Sequence, residues 1–288
     1  MPELPDLVHL ENALSPLLRG KRVQALEVRD PIVLRVTVPS VSAAELLAGR
    51  TIEGLRRHGP FLVFRLPPVE MVVHFMLAGR LQLGDLRSRR DLCFSVRIQE
   101  GPTLHYLDER RMGKVYLVAE GDYSAIPGFT SQGVDVLSAG FTATRFRELI
   151  AGRRCQLRVF LMDQSALSAI GNAYADEILF AAGLHPKTLC HRLTGVEVDR
   201  LHGSVGEVLR WGSEEVRRAG APLEAKVRGH LKVRNRKGEP CPVCGARIRR
   251  TGVLGYDAFF CPRCQPAASG ARAQIPWDTT PAGPRDAR

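Results

Sequence analysis

The residues of this chain best spaced for chemistry lie in the stretch CPVCGARIRRTGVLGYDAFFCPRC. Cys241 and Cys244 form one C-x-x-C pair, Cys261 and Cys264 another, with 16 residues between the pairs. Two intervening residues let both thiolates of a pair reach one ion, and four soft ligands complete a closed tetrahedral zinc shell. With every position filled by sulfur there is no room for water, so the predicted Zn2+ is single and structural. Cys93, Cys155 and Cys190 lack such spacing and read as buried or free thiols. Residues 226–250 carry nine Lys or Arg, among them Arg249 and Arg250, against one acid, Glu239. A zinc-stapled hairpin with that charge suits phosphate, although charge alone does not separate DNA from RNA.

The N-terminus, MPELPD, crowds two prolines and two carboxylates ahead of any apolar periodicity. On residue types alone it is either a frayed end or a helix entry, with Pro5 at a first helical position and Asp6 in a first turn. A third candidate is DQSALSAIGNAYADEILFAAG, which breaks at Gly171-Asn172 between two helical patterns. Asn172 is placed as an N-cap and Gly183 as a stop. The exposed N–H groups of such a helix start can hold a phosphate, or the motif is an ordinary capped helical hairpin.

Two kinds of element must position these residues. Leucines at 7, 10, 14, 17 and 18 predict an opening helix. From Lys21 to about Gly133 the chain reads as short strands, IVLRVTV, FLVFRL, MVVHFML, LCFSVRI and VYLVA, broken by turns and by a short helical SAAELLAG. IPGFTSQGVDVLSAG then predicts a linker, and TATRFRELIAG, CQLRVFLMDQSALSAI, AYADEILFAAG and VEVDRLHGSVGEVLRWGSEEVRRAG predict helices. The resulting division is 1–127 for an N-terminal domain, 128–140 for a linker, 141–235 for a helical domain, 236–266 for a zinc finger and 267–288 for a disordered tail.

Lys plus Arg number 41 against 30 Asp plus Glu in 288 residues, a formal charge of +11. That excess predicts an anionic partner, nucleic acid before acidic membrane. No stretch approaches the roughly 18 apolar residues that span a bilayer, and no basic segment followed by an apolar run marks a secretory signal. An odd number of cysteines, four in metal-type pairs, argues for a reducing, cytoplasmic setting.

Taken in order, PELPD, HFMLAGRL, DERRMG, DQSALSAIGNAYADEILFAAGLHP and CPVCG…CPRCQ resemble the bifunctional DNA glycosylases of the formamidopyrimidine-DNA glycosylase and endonuclease VIII family. The resemblance covers residues 2 to about 265. It implies an α+β fold, with an N-terminal β-sandwich flanked by helices and a C-terminal helical helix–two-turn–helix domain bearing a zinc-ribbon β-hairpin. It also implies base-excision repair by a monomer on damaged or abasic DNA, at the nucleoid of a bacterial-type cell.

In that family the initiator Met is removed and the freed proline amine attacks the sugar C1′. Pro2 is then the nucleophile and Glu3 the proton-shuttling carboxylate. Asp6 stands as a catalytic-site acid where the family usually has Glu. A secondary amine forms a Schiff base that a peptide nitrogen cannot, and an α-amine titrates near pH 8. His74 and Asn172 match phosphate ligands, and Leu77, Arg110 and Met112 match the residues that fill the gap left by a flipped nucleotide.

Three departures stand out. Pro60 occupies the place of a family lysine, Tyr256 that of a finger arginine, and APLEAKVRGHLKV lacks the Gly-rich loop that closes over oxidised purine. The expectation is a glycosylase and abasic-site lyase of altered lesion specificity, the alternative a damaged-DNA or abasic-site binder without catalysis.

Overall fold

In the computed structural model, residues 1–39 and 41–267 are described. The predicted tail lies outside them except for Ala267. The chain forms two units, Met1–Ser131 with Ala219–Lys226, and Gln132–Arg218 with the described residues from Val227 on.

The first unit opens with α1 (Leu4–Leu18), which buries Leu7, Leu10, Leu14 and Leu18 and leaves Leu17 outside. The strands follow as β1 (Val23–Val28), β2 (Leu34–Val36), β3 (Gly54–His58), β4 (Phe61–Leu66), β5 (Val69–His74), β6 (Arg80–Leu83), β7 (Leu92–Ile98), β8 (Leu104–Leu107) and β9 (Lys114–Ala119). They build a five-stranded sheet ordered β2-β9-β5-β4-β3 and a four-stranded sheet ordered β1-β7-β8-β6. Among these strands only β2 and β9 pair in parallel. The predicted strand IVLRVTV shrinks to β2, because Asp30 accepts the Ile32 N–H and turns Pro31–Val33 into a 3-10 helix.

SAAELLAG forms the short helix α2 (Ala43–Leu47), whose Ser42 and Glu45 cap each other's backbone N–H. Phe61, Val63, Val72, Tyr116 and Val118 form one apolar patch of the larger sheet, covered by Ile126 and Phe129. The first unit therefore runs past residue 127 into the predicted linker, since Phe129 is core. Beyond it, Gly133 and Val134 donate to the Gln164 and Ala166 carbonyls at 2.7 and 3.0 Å, so the rest of that segment is stitched into the second unit.

The second unit contains α3 (Ala143–Ile150), α4 (Leu157–Leu161), α5 (Asn172–Ala181), α6 (Gly195–Arg218) and a hairpin of β10 (Arg249–Val253) and β11 (Tyr256–Phe260). The sequence reads Cys155 to Ile170 as one helix, but α4 stops at Leu161. Asp163 takes the Ser165 N–H, and Gln164 bridges the Ala169 N–H and the Met162 and Ile170 carbonyls. These side chains replace helical bonds with a fixed turn. Ala169 enters the left-handed region at φ 61°, which aims the chain into α5. At the other end of α5, Gly183 at φ 66° ends the helix as expected. The hairpin closes through Leu254 and Gly255 at φ 45° and 78°, both positive as a two-residue turn requires.

Candidate functional site

The N-terminus is a helix entry held by reciprocal caps. Glu3 is the N-cap of α1, with extended backbone, and its N–H donates to Asp6 Oδ2 at 2.8 Å. Pro2, Glu3 and Asp6 are all buried. Asp6 thus fixes the backbone of Glu3, and Glu3 follows directly on Pro2. Of the two readings of MPELPD, the frayed end is excluded, and Asp6 positions the catalytic candidates beside it.

His74 ends β5, opposite Phe61 on one side and Lys114 on the other. Its Nδ1 accepts the Met76 N–H at 3.3 Å, which leaves the ring proton on Nε2. Burial and the nearby amino terminus push its pKa down to about 4. The ring is therefore neutral at physiological pH and carries one N–H donor, a state fit for a phosphate oxygen.

Leu77 lies in the loop between β5 and β6, Arg110 and Met112 in the loop between β8 and β9. Both loops cross from one sheet to the other between the same two rungs, His74↔Lys114 and Arg80↔Leu107. They run side by side for that reason. Leu77 is 50% exposed and Met112 38%, and Arg110 is exposed too. Asp108 is fully buried and holds the second loop, accepting the Arg110 N–H at 3.0 Å and the Gly113 N–H at 2.6 Å. Arg111 points inward, to the Asp30 carboxylate and the Asp91 and Asp108 carbonyls. Gly79 and Gly113 both abut the Tyr106 hydroxyl. A Cβ would come within 2.3 Å of it at Gly79 and 1.8 Å at Gly113. The glycines in LAGRL and RMGKV are the sequence signal for this close packing. Lys226 Nζ donates to the Leu77 carbonyl at 3.0 Å and so braces the first loop, while Glu224 pairs with Arg87 of the β6–β7 loop at 3.0 Å.

In the second unit Asn172 is the first residue of α5 and Gly171 the N-cap, one position earlier than predicted. The reason is that Asn172 Oδ1 is engaged elsewhere, accepting Arg158 Nη2 at 2.7 Å. That bond uses the amide oxygen of half-buried Asn172 and leaves its NH2 as the donor end of the side chain. Arg158 is 1% exposed and also reaches Asp176 Oδ1 at 2.8 Å and the Asp257 carbonyl at 2.9 Å. Arg234 binds the other Asp176 oxygen and the same Asp257 carbonyl, at 2.8 and 2.7 Å. One buried network therefore joins the helix start to the hairpin. Glu177 accepts the N–H groups of Lys232, Val233 and Arg234. Burial nonetheless raises its pKa to about 6.

The Sγ atoms of Cys241, Cys244, Cys261 and Cys264 all lie within 4.8 Å of one another. A tetrahedron with Zn–S near 2.3 Å needs S···S of about 3.8 Å, so the donor set fits. These cysteines hold one structural Zn2+. Gln265, fully buried, accepts the Cys261 N–H and donates to the Leu184 carbonyl beyond α5, hooking the knuckle to that helix.

The basic stretch is less available than its count implies. Arg234 belongs to the buried network, Arg236 binds the Leu231 and Gly229 carbonyls and Glu239, and Arg247 binds the Gly238 carbonyl. Arg249 and Arg250 are exposed on β10, Arg250 paired with Asp257 Oδ2 at 3.1 Å. Tyr256 is 56% exposed at the start of β11. Pro60 is buried in the β3–β4 turn.

Two exposed loops, a buried and capped amino terminus and a four-cysteine zinc hairpin wired to a helix start suit a nucleic-acid-binding protein. Residues 1–115 match the formamidopyrimidine-DNA glycosylase N-terminal domain, residues 132–219 the formamidopyrimidine-DNA glycosylase H2TH domain, and residues 238–267 the zinc finger found in FPG and IleRS. A formamidopyrimidine-DNA glycosylase of Symbiobacterium thermophilum is 36% identical over 278 residues, 94% of this chain and 91% of that protein. Among solved structures, the MutM (Fpg) protein of Thermus thermophilus superposes with a TM-score of 0.80 at 32% identity, over 93% of this chain and all of that one. The Lactococcus lactis Fpg in complex with abasic-site DNA gives 0.80 at 26% identity, over 92% and 99%. The chain belongs to the formamidopyrimidine-DNA glycosylase family.

Proposed function

We propose that this base-excision DNA glycosylase and abasic-site lyase works through a Pro2 Schiff base, with its lesion range shifted toward abasic and strongly distorted sites. Once Met1 is removed, the Pro2 nitrogen attacks C1′, and the base departs as the C1′–N bond breaks. The C1′–O4′ bond then breaks, O4′ takes a proton and the sugar opens to an iminium at C1′. This acidifies the C2′ protons, and loss of one expels the 3′ phosphate by β-elimination. Glu3, held by Asp6, receives and returns the protons at the opened sugar. Neutral His74 donates Nε2–H, and Asn172 its amide NH2, to phosphates beside the lesion. Leu77, Arg110 and Met112 fill the gap in the duplex, and Arg249 and Arg250 contact the backbone.

The observation that carries the altered range is the buried Pro60 in the β3–β4 turn, where the family resemblance implies a lysine. A proline supplies neither charge nor donor, so one phosphate clamp is missing. Tyr256 in place of an arginine removes bidentate charge in the same way. Each charge-assisted contact is worth about 1.5–3 kcal/mol, and intact damaged bases need that energy most because they must be unstacked first. An abasic site exposes its aldehyde without any base to release.

Borohydride reduction tests this directly. Processed protein is expected to cross-link to abasic DNA, and to excise 8-oxoguanine far more slowly than its relatives. Failure to trap on abasic DNA would leave a non-catalytic damage binder. Fast 8-oxoguanine excision would remove the altered specificity while keeping the enzyme.

A further inference from the structure

We propose that Cys155 and Cys190 are a modification site, a thiol pair set to close into an intramolecular disulfide apart from the zinc cysteines. The segments that carry them pair antiparallel through Gln156↔Leu189. Cys190 N–H donates to the Cys155 carbonyl at 3.0 Å, and Leu157 N–H to the Thr188 carbonyl at 2.8 Å. That pattern puts the two cysteines opposite each other, joined by one of the two backbone bonds that a full hydrogen-bonded pair exchanges, and such a pair holds its Cα atoms about 5.5 Å apart. Disulfides favour a separation of about 5.5–6 Å. The sulfurs are already 3.9 Å apart, both reduced. Rotation of the side chains closes the rest, with the backbone held by its two hydrogen bonds.

The two thiols differ in a way that orders the chemistry. Cys155 is partly exposed, whereas Cys190 is buried. Burial, and then the neighbouring Cys155, push the Cys190 thiol up to about 12. Cys155 is therefore the group a peroxide meets first. Its thiolate attacks one peroxide oxygen, the O–O bond breaks, and hydroxide leaves to give a sulfenic acid. Cys190 sulfur then attacks that sulfur, the S–O bond breaks, and water departs with the Cys190 proton. Two thiols and one hydrogen peroxide become one disulfide and two waters.

The bond would close the stretch from Cys155 to Cys190, which contains α4, α5 and both Arg158 and Asn172. Oxidation thus staples the ends of the segment that presents the candidate phosphate ligand. Because it concerns these two thiols alone, it stands whether or not Pro2 is the nucleophile.

The test uses the full zinc-loaded chain, exposed to stepwise hydrogen peroxide, alkylated, digested and mapped by mass spectrometry, with zinc release followed in parallel. The expected first product is a peptide pair linked through Cys155 and Cys190, with zinc retained. In the Cys190→Ala variant, the Cys155 sulfenic acid should persist and react with dimedone. The proposal is overturned if the first disulfide includes a zinc cysteine, or if both thiols survive until zinc is lost. It is equally overturned if wild-type protein accumulates the Cys155 dimedone adduct as readily as Cys190→Ala does.

Discussion

Replacing Arg158 with Met keeps the apolar stem and removes the guanidinium. Arg158 and Asp176 are 1% and 0% exposed at their side chains, so the change leaves a buried carboxylate short of one cation. Breaking such a pair costs about 3–5 kcal/mol. Asp176 keeps Arg234 at 2.8 Å and the Phe259 N–H at 3.2 Å, which places this case near the low end. Two carbonyl acceptors, Asn172 Oδ1 and Asp257 O, also lose a donor at about 1 kcal/mol each, bringing the loss to about 4–5 kcal/mol. Urea denaturation at constant zinc occupancy measures it. Arg234→Met should cost less, since Arg234 is 17% exposed. The double variant should lose clearly more than both together, because Asp176 would then have no cation at all. Affinity for an uncleavable abasic analogue should fall with Arg158→Met, as the Asn172 amide is no longer held. A stability loss under about 1 kcal/mol, or strict additivity with Arg234→Met, would refute the shared-network reasoning.

Gly113→Ala drives a methyl into the Tyr106 hydroxyl and should destabilise by about 1–3 kcal/mol while slowing capture of the lesion; Tyr106→Phe on top of it should restore part of both, read by thermal melting and borohydride trapping. His74 has its pKa depressed from 6.5 to about 4, so its contribution is complete above 6.5 and fades as pH falls toward 4, because the unfolded chain takes up the proton first. The stability gap between wild type and His74→Gln should shrink by about 2–3 kcal/mol over that window, and a gap independent of pH would count against the buried neutral ring. In DNA binding, Arg249→Ala should flatten the slope of log K against log salt by about 0.9, and Arg250→Ala by less, since Asp257 already offsets its charge.

The contrast between those two arginines shows which features a sequence makes legible. The zinc ligands can be read because their constraint is local, two residues of spacing per knuckle. The stop at Gly183 is local as well, and the same holds for most strand runs. The stretch from Cys155 to Ile170 misleads because its apolar period is helical, while Asp163 and Gln164 spend their side chains on the backbone. Arg158 is a lone charge in LRVFLM, and only a tertiary view joins it to residues 18 and 99 positions away. Charge is the most deceptive signal. Nine basic residues between 226 and 250 suggest a phosphate surface, yet Arg234, Arg236 and Arg247 are committed to carbonyls and carboxylates of their own unit. A guanidinium has five donors whether it faces a phosphate or a peptide carbonyl. Composition counts the charges, but packing decides which of them remain for DNA, and on this hairpin that leaves Arg249 ahead of Arg250.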